Sequence, residues 1–190
     1  MLKNFLAIIC AASFFFMSSA QATNSKVEVA VQFAIDIAND QSHGYSQGIP
    51  PYTGSRESPD YDCSSLIYHA FNHAGFNIID NWHNNPKFFS RYDGKQYSGD
   101  ADTIWEDLSV DGGWEKFSWS EIKDNLQRGD ILCNPARHCA IYIGDGMTVE
   151  AKGVNNYRGG SYATGDQGGE IDFYPAQGRG WTEVYRYVED

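Results

Sequence analysis

Tyr61-Asp62-Cys63-Ser64-Ser65-Leu66-Ile67-Tyr68-His69-Ala70-Phe71 decides the fold, because an acidic, turn-prone pair hands over at Cys63 to an apolar helical pattern. Leu66, Ile67, Ala70, Phe71 and Ala74 trace one face until Gly75 supplies a stop, which predicts a helix packed on a core with a thiol in its first turn. Unpaired backbone amides and the positive end of the macrodipole favour anions there, so the reactive thiolate is easier to populate near neutral pH. Downstream, Gly129-Asp130-Ile131-Leu132-Cys133 leads through a polar turn to His138-Cys139-Ala140-Ile141-Tyr142-Ile143-Gly144-Asp145-Gly146 and then to Val149-Glu150-Ala151. His138 opens an apolar strand, and Glu150 follows on what reads as the next strand. A nucleophile, a base and an orienting carboxylate are therefore available to one site.

Outward from this core, Ser25-Lys26-Val27-Glu28 fits a capping box. Val27, Ala30, Val31, Ala34, Ile35 and Ala38 follow helical spacing to about Asn39. Residues 40–61 are loop chemistry, with Gly44-Tyr45, Pro50-Pro51, Gly54 and Pro59-Asp60. From Asn77 to Gly113 the pattern is irregular apart from a short helix near Asp102–Leu108, which marks a segment suited to lining a substrate cleft. Ser118-Trp119-Ser120-Glu121 reads as the capped start of a helix that Gly129 ends, and strand character follows at 130–133, 138–143, 147–151, 170–174 and 182–188. Helices first and antiparallel strands after predict an α+β fold, a sheet packed on one side by helices.

The start of the chain bears on where the chemistry happens. Lys3, the apolar run Phe5–Met17 and the small residues ending in Ala20-Gln21-Ala22 have the build of a secretory signal cleaved near Ala22. The run is too short to span a membrane, so an exported protein, secreted or periplasmic, with no membrane insertion is expected. Ile9 stands where a small residue would precede a lipidated Cys10, which argues against a lipoprotein. The expected division is residues 1–22 as the leader and 23–190 as one catalytic domain, enough for a single core and not for two. The chain carries 14 Lys and Arg against 25 Asp and Glu, a net charge of −11, and the leader holds one of the Lys residues and no acid. That balance, without a basic stripe, argues against nucleic acid and anionic membrane as partners. The 12 Tyr, 11 Phe and 5 Trp fit an ordinary core and rim, with stacking on sugar or peptide as a secondary use.

Together these residues resemble the NlpC-type papain-like cell-wall cysteine peptidases, and among them the phage-endolysin-like amidase branch. The likeness rests on Asp62-Cys63-Ser64, on the strand from His138 with Glu150-Ala151 after it, and on Gly129-Asp130. For the branch it rests on Ile37-Ala38 through His43-Gly44-Tyr45, on Pro59-Asp60-Tyr61-Asp62-Cys63-Ser64-Ser65, and on Gly165-Asp166-Gln167 with Glu170-Ile171. The resemblance implies a papain-like α+β fold, a peptidoglycan stem peptide as the partner, a monomer, and amide hydrolysis without metal or other cofactor. Cys63 would be the nucleophile, His138 the base, and Glu150 the orienting group where the family often carries His. The Cys63 amide and the Tyr45 hydroxyl would meet the oxyanion, with Asp62, Ser64 and Arg137 close to the substrate.

Other readings stand beside these. A cysteine at a helix start is often just a small buried residue, and a lone histidine opening a strand is often structural. A strand-end carboxylate such as Glu150 is often only solvated. His69 and His73 sit four apart on the Cys63 helix without a third ligand at metal spacing, so they read as surface histidines. Asp166 and Gln167 read as a turn, while Arg137, Lys152 and Arg158 could meet stem-peptide carboxylates or simply be surface cations. Cys133 and Cys139 flank a turn and could bond across a hairpin or remain two buried thiols. A protein-directed cysteine peptidase or acyltransferase is the competing activity, and a non-catalytic wall-binding module the third class.

Overall fold

Apolar residues at helical spacing and a side-chain cap make the first element, α1 (Ser25–Asn39), which buries Val27, Ala30, Val31, Ala34, Ile37 and Ala38. Its cap is Asn24, whose side chain accepts from the Lys26 amide at 2.9 Å, so Ser25 is the first helical residue and not the expected cap. Glu28, freed from a capping box, pairs through both oxygens with Arg128 at 2.8 Å. The computed structural model describes residues 24–47, 57–78, 100–152, 165 and 169–189. The expected leader, Cys10, Arg158, Asp166 and Gln167 lie outside them.

The second helix, α2 (Cys63–His73), starts where the sequence placed it. Asp62 Oδ1 accepts from the Ser65 amide at 2.8 Å, and Ser65 Oγ accepts from the Asp62 amide at 2.9 Å, a reciprocal cap that fixes the first turn. Next come α3 (Ile104–Asp111), joined to α2 by the Tyr68 hydroxyl donating to Asp107, then β1 (Trp114–Ser118) and the one-turn α4 (Trp119–Ile122). Strands β2 (Ile131–Asn134), β3 (His138–Gly144), β4 (Met147–Ala151), β5 (Ile171–Pro175) and β6 (Glu183–Tyr187) follow among the described residues.

The six strands form one antiparallel sheet in the order β1-β6-β2-β3-β4-β5. Strand alternation divides its side chains between two cores. Ile131, Cys133, Cys139, Ile141, Val149, Ala151 and Tyr185 join the apolar face presented by α1 and α2. Leu132, Ala140 and Val184 face the other way, where Ala176, Trp181 and the half-buried Trp119, Ile122 and Leu126 cover them. The expectation of helices on one side holds for α1 and α2, yet the far side has a small core of its own. At Gly129 the chain passes so close to α1 that a Cβ would lie 2.0 Å from Val27 Cγ1, and its φ of +95° also favours glycine.

Candidate active site

Cys63 is half-buried at the first residue of α2, where the cap described above holds the helix end toward the edge of β3. Hydrogen bonding from the Cys139 thiol favours its anion; burial opposes this, and hydrogen bonding and charge from His138 reinforce it. The balance holds the Cys63 pKa well below the ordinary thiol range. Beside it, His138 begins β3 and presents Nε2 to Glu150 Oε2 at 3.0 Å. Burial works against the imidazolium, but hydrogen bonds to Cys63 and Glu150, together with their charges, raise the His138 pKa to about 9.

Glu150 is fully buried on β4. Burial raises its pKa, and hydrogen bonds from His138, Arg179 and Thr148 overcome that and hold it at about 2, so the carboxylate stays charged. Thr148 Oγ1 donates to Oε1 at 2.9 Å and Arg179 Nε to Oε1 at 3.0 Å, while a second Arg179 nitrogen donates to Oε2. Trp181 stacks on the His138 ring with centroids 5.7 Å apart and planes 18° apart. Chemically, the line Cys63–His138–Glu150 can deliver a thiolate and hold a proton ready for a departing amine.

Cys63, His138 and Glu150, named from the sequence, thus lie side by side, and the rest of its candidates divide. Asp62 and Ser64 are buried and bonded to one another, the Ser64 hydroxyl donating to Asp62 Oδ1 at 3.1 Å, so they build the helix start that carries the thiol. Tyr45 is buried beside Tyr61, and its amide donates to Glu170 Oε2 at 3.1 Å. The same loop is tied down by Asp60, whose Oδ1 accepts from the amides of Gly44 and Gly165, each at 3.0 Å. Arg137 lies exposed in the β2–β3 turn, one residue before His138. Lys152 ends up with its ammonium 3.6 Å above the Tyr174 ring. His69 pairs with Glu57 at 3.0 Å, and the ring of His73 lies against Phe33.

Of the two states the sequence left open for Cys133 and Cys139, the structure has both as free, buried thiols. They face each other in register across β2 and β3. Directly opposed strand residues hold their Cβ atoms about 4.5–5.5 Å apart, wider than the mean of about 3.8 Å across a disulfide. Cys133 donates instead to the Ala101 carbonyl at 3.5 Å, and burial pushes the Cys139 thiol well up, which keeps it a neutral donor to Cys63.

The model of the NlpC/P60 family matches residues 50–185, which include all three residues of this line. The chain belongs to the NlpC/P60 family. Its α+β arrangement, with a helix-borne cysteine packed on an antiparallel sheet, is the papain-like one that the resemblance implied. Several solved structures are similar to it. The P60 domain of antigen MAP1204 from Mycobacterium avium subspecies paratuberculosis is 17% identical with a TM-score of 0.48, over 86% of this chain and 98% of that one. The peptidoglycan hydrolase RipB of Mycobacterium tuberculosis is 18% identical with a TM-score of 0.48, over 88% of this chain and 69% of that one. A hypothetical invasion protein of the same organism is 19% identical with a TM-score of 0.46, over 86% of this chain, which spans 64% of its length. No curated protein matches the sequence.

Two contributors escaped the sequence reading altogether. Arg179 and Trp181 come from the segment between β5 and β6, where Gly178-Arg179-Gly180-Trp181 matches no catalytic motif. Their partners lie 29 and 43 positions upstream, and no local pattern encodes such a contact.

Proposed function

We propose that this NlpC/P60 protein is an exported peptidoglycan hydrolase that cuts an amide bond of the wall peptide, through an acyl-enzyme on Cys63. The observation that carries the reading is the unbroken line from the Cys63 thiol through His138 to a buried, charged Glu150. The thiolate attacks the scissile carbonyl carbon and forms a C–S bond, with the negative charge moving to the carbonyl oxygen. The backbone amide of Cys63 meets that oxyanion, and Tyr45 is assigned the second donor by analogy with the family's upstream tyrosine. As the C–N bond breaks, the imidazolium of His138 gives its proton to the departing amine. Neutral His138 then takes a proton from water, whose oxygen attacks the thioester, and the acid product leaves as the thiolate is restored. Glu150 holds the ring's orientation and its cation throughout.

Either bond of the stem peptide suits this chemistry, the one beside D-glutamate or the one joining the muramyl lactyl group to L-alanine. The leader and the net charge of −11 support an exported catalyst without nucleic-acid partners. Mass spectrometry of muropeptides after digestion of purified walls tests the reading. Fragments with a new amino terminus at one of these bonds are expected, and walls left intact while unfolded protein is cleaved would overturn it in favour of a protein-directed peptidase.

A further inference from the structure

We propose that the segment 176–182, between β5 and β6, is a strap that positions both partners of the nucleophile, with Arg179 fixing the Glu150 carboxylate and Trp181 fixing the His138 ring. It rests on the assignment of Cys63, His138 and Glu150 given above.

The strap is anchored along its length. The Ala176 amide donates to the Gly146 carbonyl at 2.8 Å, and the Thr182 amide to the Cys133 carbonyl at 2.9 Å. Trp181 Nε1 donates to the Ala176 carbonyl at 2.8 Å, and Asn134 Nδ2 to the Gly180 carbonyl at 2.8 Å. Gly178 and Gly180, at φ +77° and +78°, allow the two left-handed turns that flank Arg179. Between them the guanidinium reaches Glu150 with two nitrogens, one on each carboxylate oxygen. A planar fork of this kind fixes the plane of a carboxylate, which a lysine ammonium cannot do.

Glu150 thus has both oxygens committed: Oε1 to Thr148 and Arg179, Oε2 to His138 and Arg179. Turning the carboxylate away from His138 would break these bonds around a side chain that is itself fully buried. Trp181, itself buried, closes the other degree of freedom by lying nearly parallel to the imidazole. With Cys63 ionised, four charges alternate in sign: thiolate, imidazolium, carboxylate, guanidinium. Among the described residues, the remaining titratable groups around the carboxylate are Lys152 just after β4, Asp172 opposite Glu150 on β5, and Tyr174, over whose ring both Lys152 and Arg179 lie. Among these groups Arg179 alone makes hydrogen bonds to both oxygens of Glu150.

Arg179→Lys keeps the charge and loses the fork, whereas Arg179→Gln loses both. Two readouts are needed, kinetics on purified walls and the pH dependence of Cys63 alkylation by iodoacetamide, followed on the Cys63 peptide by mass spectrometry. Arg179→Lys should lower kcat by about ten- to hundredfold with KM within about twofold and the acid edge of alkylation in place. Arg179→Gln should move that edge to higher pH as well, because burial then favours a neutral Glu150 with only His138 and Thr148 left to oppose it. Trp181→Leu should slow Cys63 alkylation at neutral pH severalfold, and Trp181→Phe should restore it. A rise in KM at constant kcat would overturn the proposal and make Arg179 a substrate contact; kinetics and alkylation edges that all match the parent would overturn it too. The alkylation arm needs no wall substrate, so shifted edges without wall turnover would leave the strap standing and sink the proposed function.

Discussion

The two sides of the sheet assemble the site in opposite ways. On the helical side, the thiol is presented by contacts among neighbours in sequence, Asp62 and Ser65 being three positions apart. On the far side, the base and its carboxylate are held by partners 29 and 43 positions away, delivered by a strap with little regular structure. The difference teaches that a nucleophile can be written locally, in one helix start, while the groups that tune it are written in the tertiary fold. It also sets the order in which damage should tell on activity.

The largest effect is expected at the local end. Cys63→Ala removes the attacking sulfur from a half-buried helix start and leaves the packed face of α2 untouched, so turnover on walls should vanish while thermal unfolding stays close to the parent. Retained turnover in that variant would end the cysteine assignment.

Glu150→Gln probes the distant end and should cost on the order of tenfold to several hundredfold in rate, less than loss of either Cys63 or His138. The imidazolium persists up to a pKa of about 9 with the carboxylate beside it, so removing that charge lowers the His138 pKa and moves the alkaline limb of the rate profile to lower pH. A profile that overlays the parent in height and position would show that another residue orients His138.

The smallest effect should come from Asp62→Ala, which removes the cap and leaves the Ser65 amide without its partner. Unfolding in urea should show a loss of about 1 kcal/mol, with activity reduced less than in Glu150→Gln because the thiol keeps its place on the helix. A stability equal to the parent would mean that tertiary packing alone fixes the helix start.

What could be read from the sequence follows the same division. The helices α1 and α2, the five strands after Gly129, and the residues Cys63, His138 and Glu150 all carry their signal in periodicity, capping residues or turn spacing. Strand β1 escapes the sequence reading because it is an edge strand paired, among the described residues, with β6 alone, with Glu115 and Lys116 exposed and little apolar alternation to mark it. The helix expected from Ser118 to Gly129 stops at Ile122 although its capping box forms. Its later backbone groups are taken by other partners, the Asn125 carbonyl by the distant Arg186 at 2.9 Å and the Gln127 amide by the nearby Asp130 side chain at 2.8 Å. Arg186 in turn grips the buried Asp130 carboxylate at 2.6 and 2.7 Å, a contact across 56 positions that competes with any local helix propensity. The pair Cys133 and Cys139 shows the converse limit, since sequence gave their register and left their oxidation state open.

The central claim is that Cys63 rests as a thiolate beside an imidazolium at neutral pH, and the rate of Cys63 alkylation from about pH 4 to 10 tests it most directly. The account predicts fast alkylation already well below the ordinary thiol pKa, and an edge that moves to higher pH in His138→Ala, where the hydrogen bond and charge that favour the anion are gone. A rate that rises only near the pKa of a free thiol, and is unchanged by loss of His138, would contradict it.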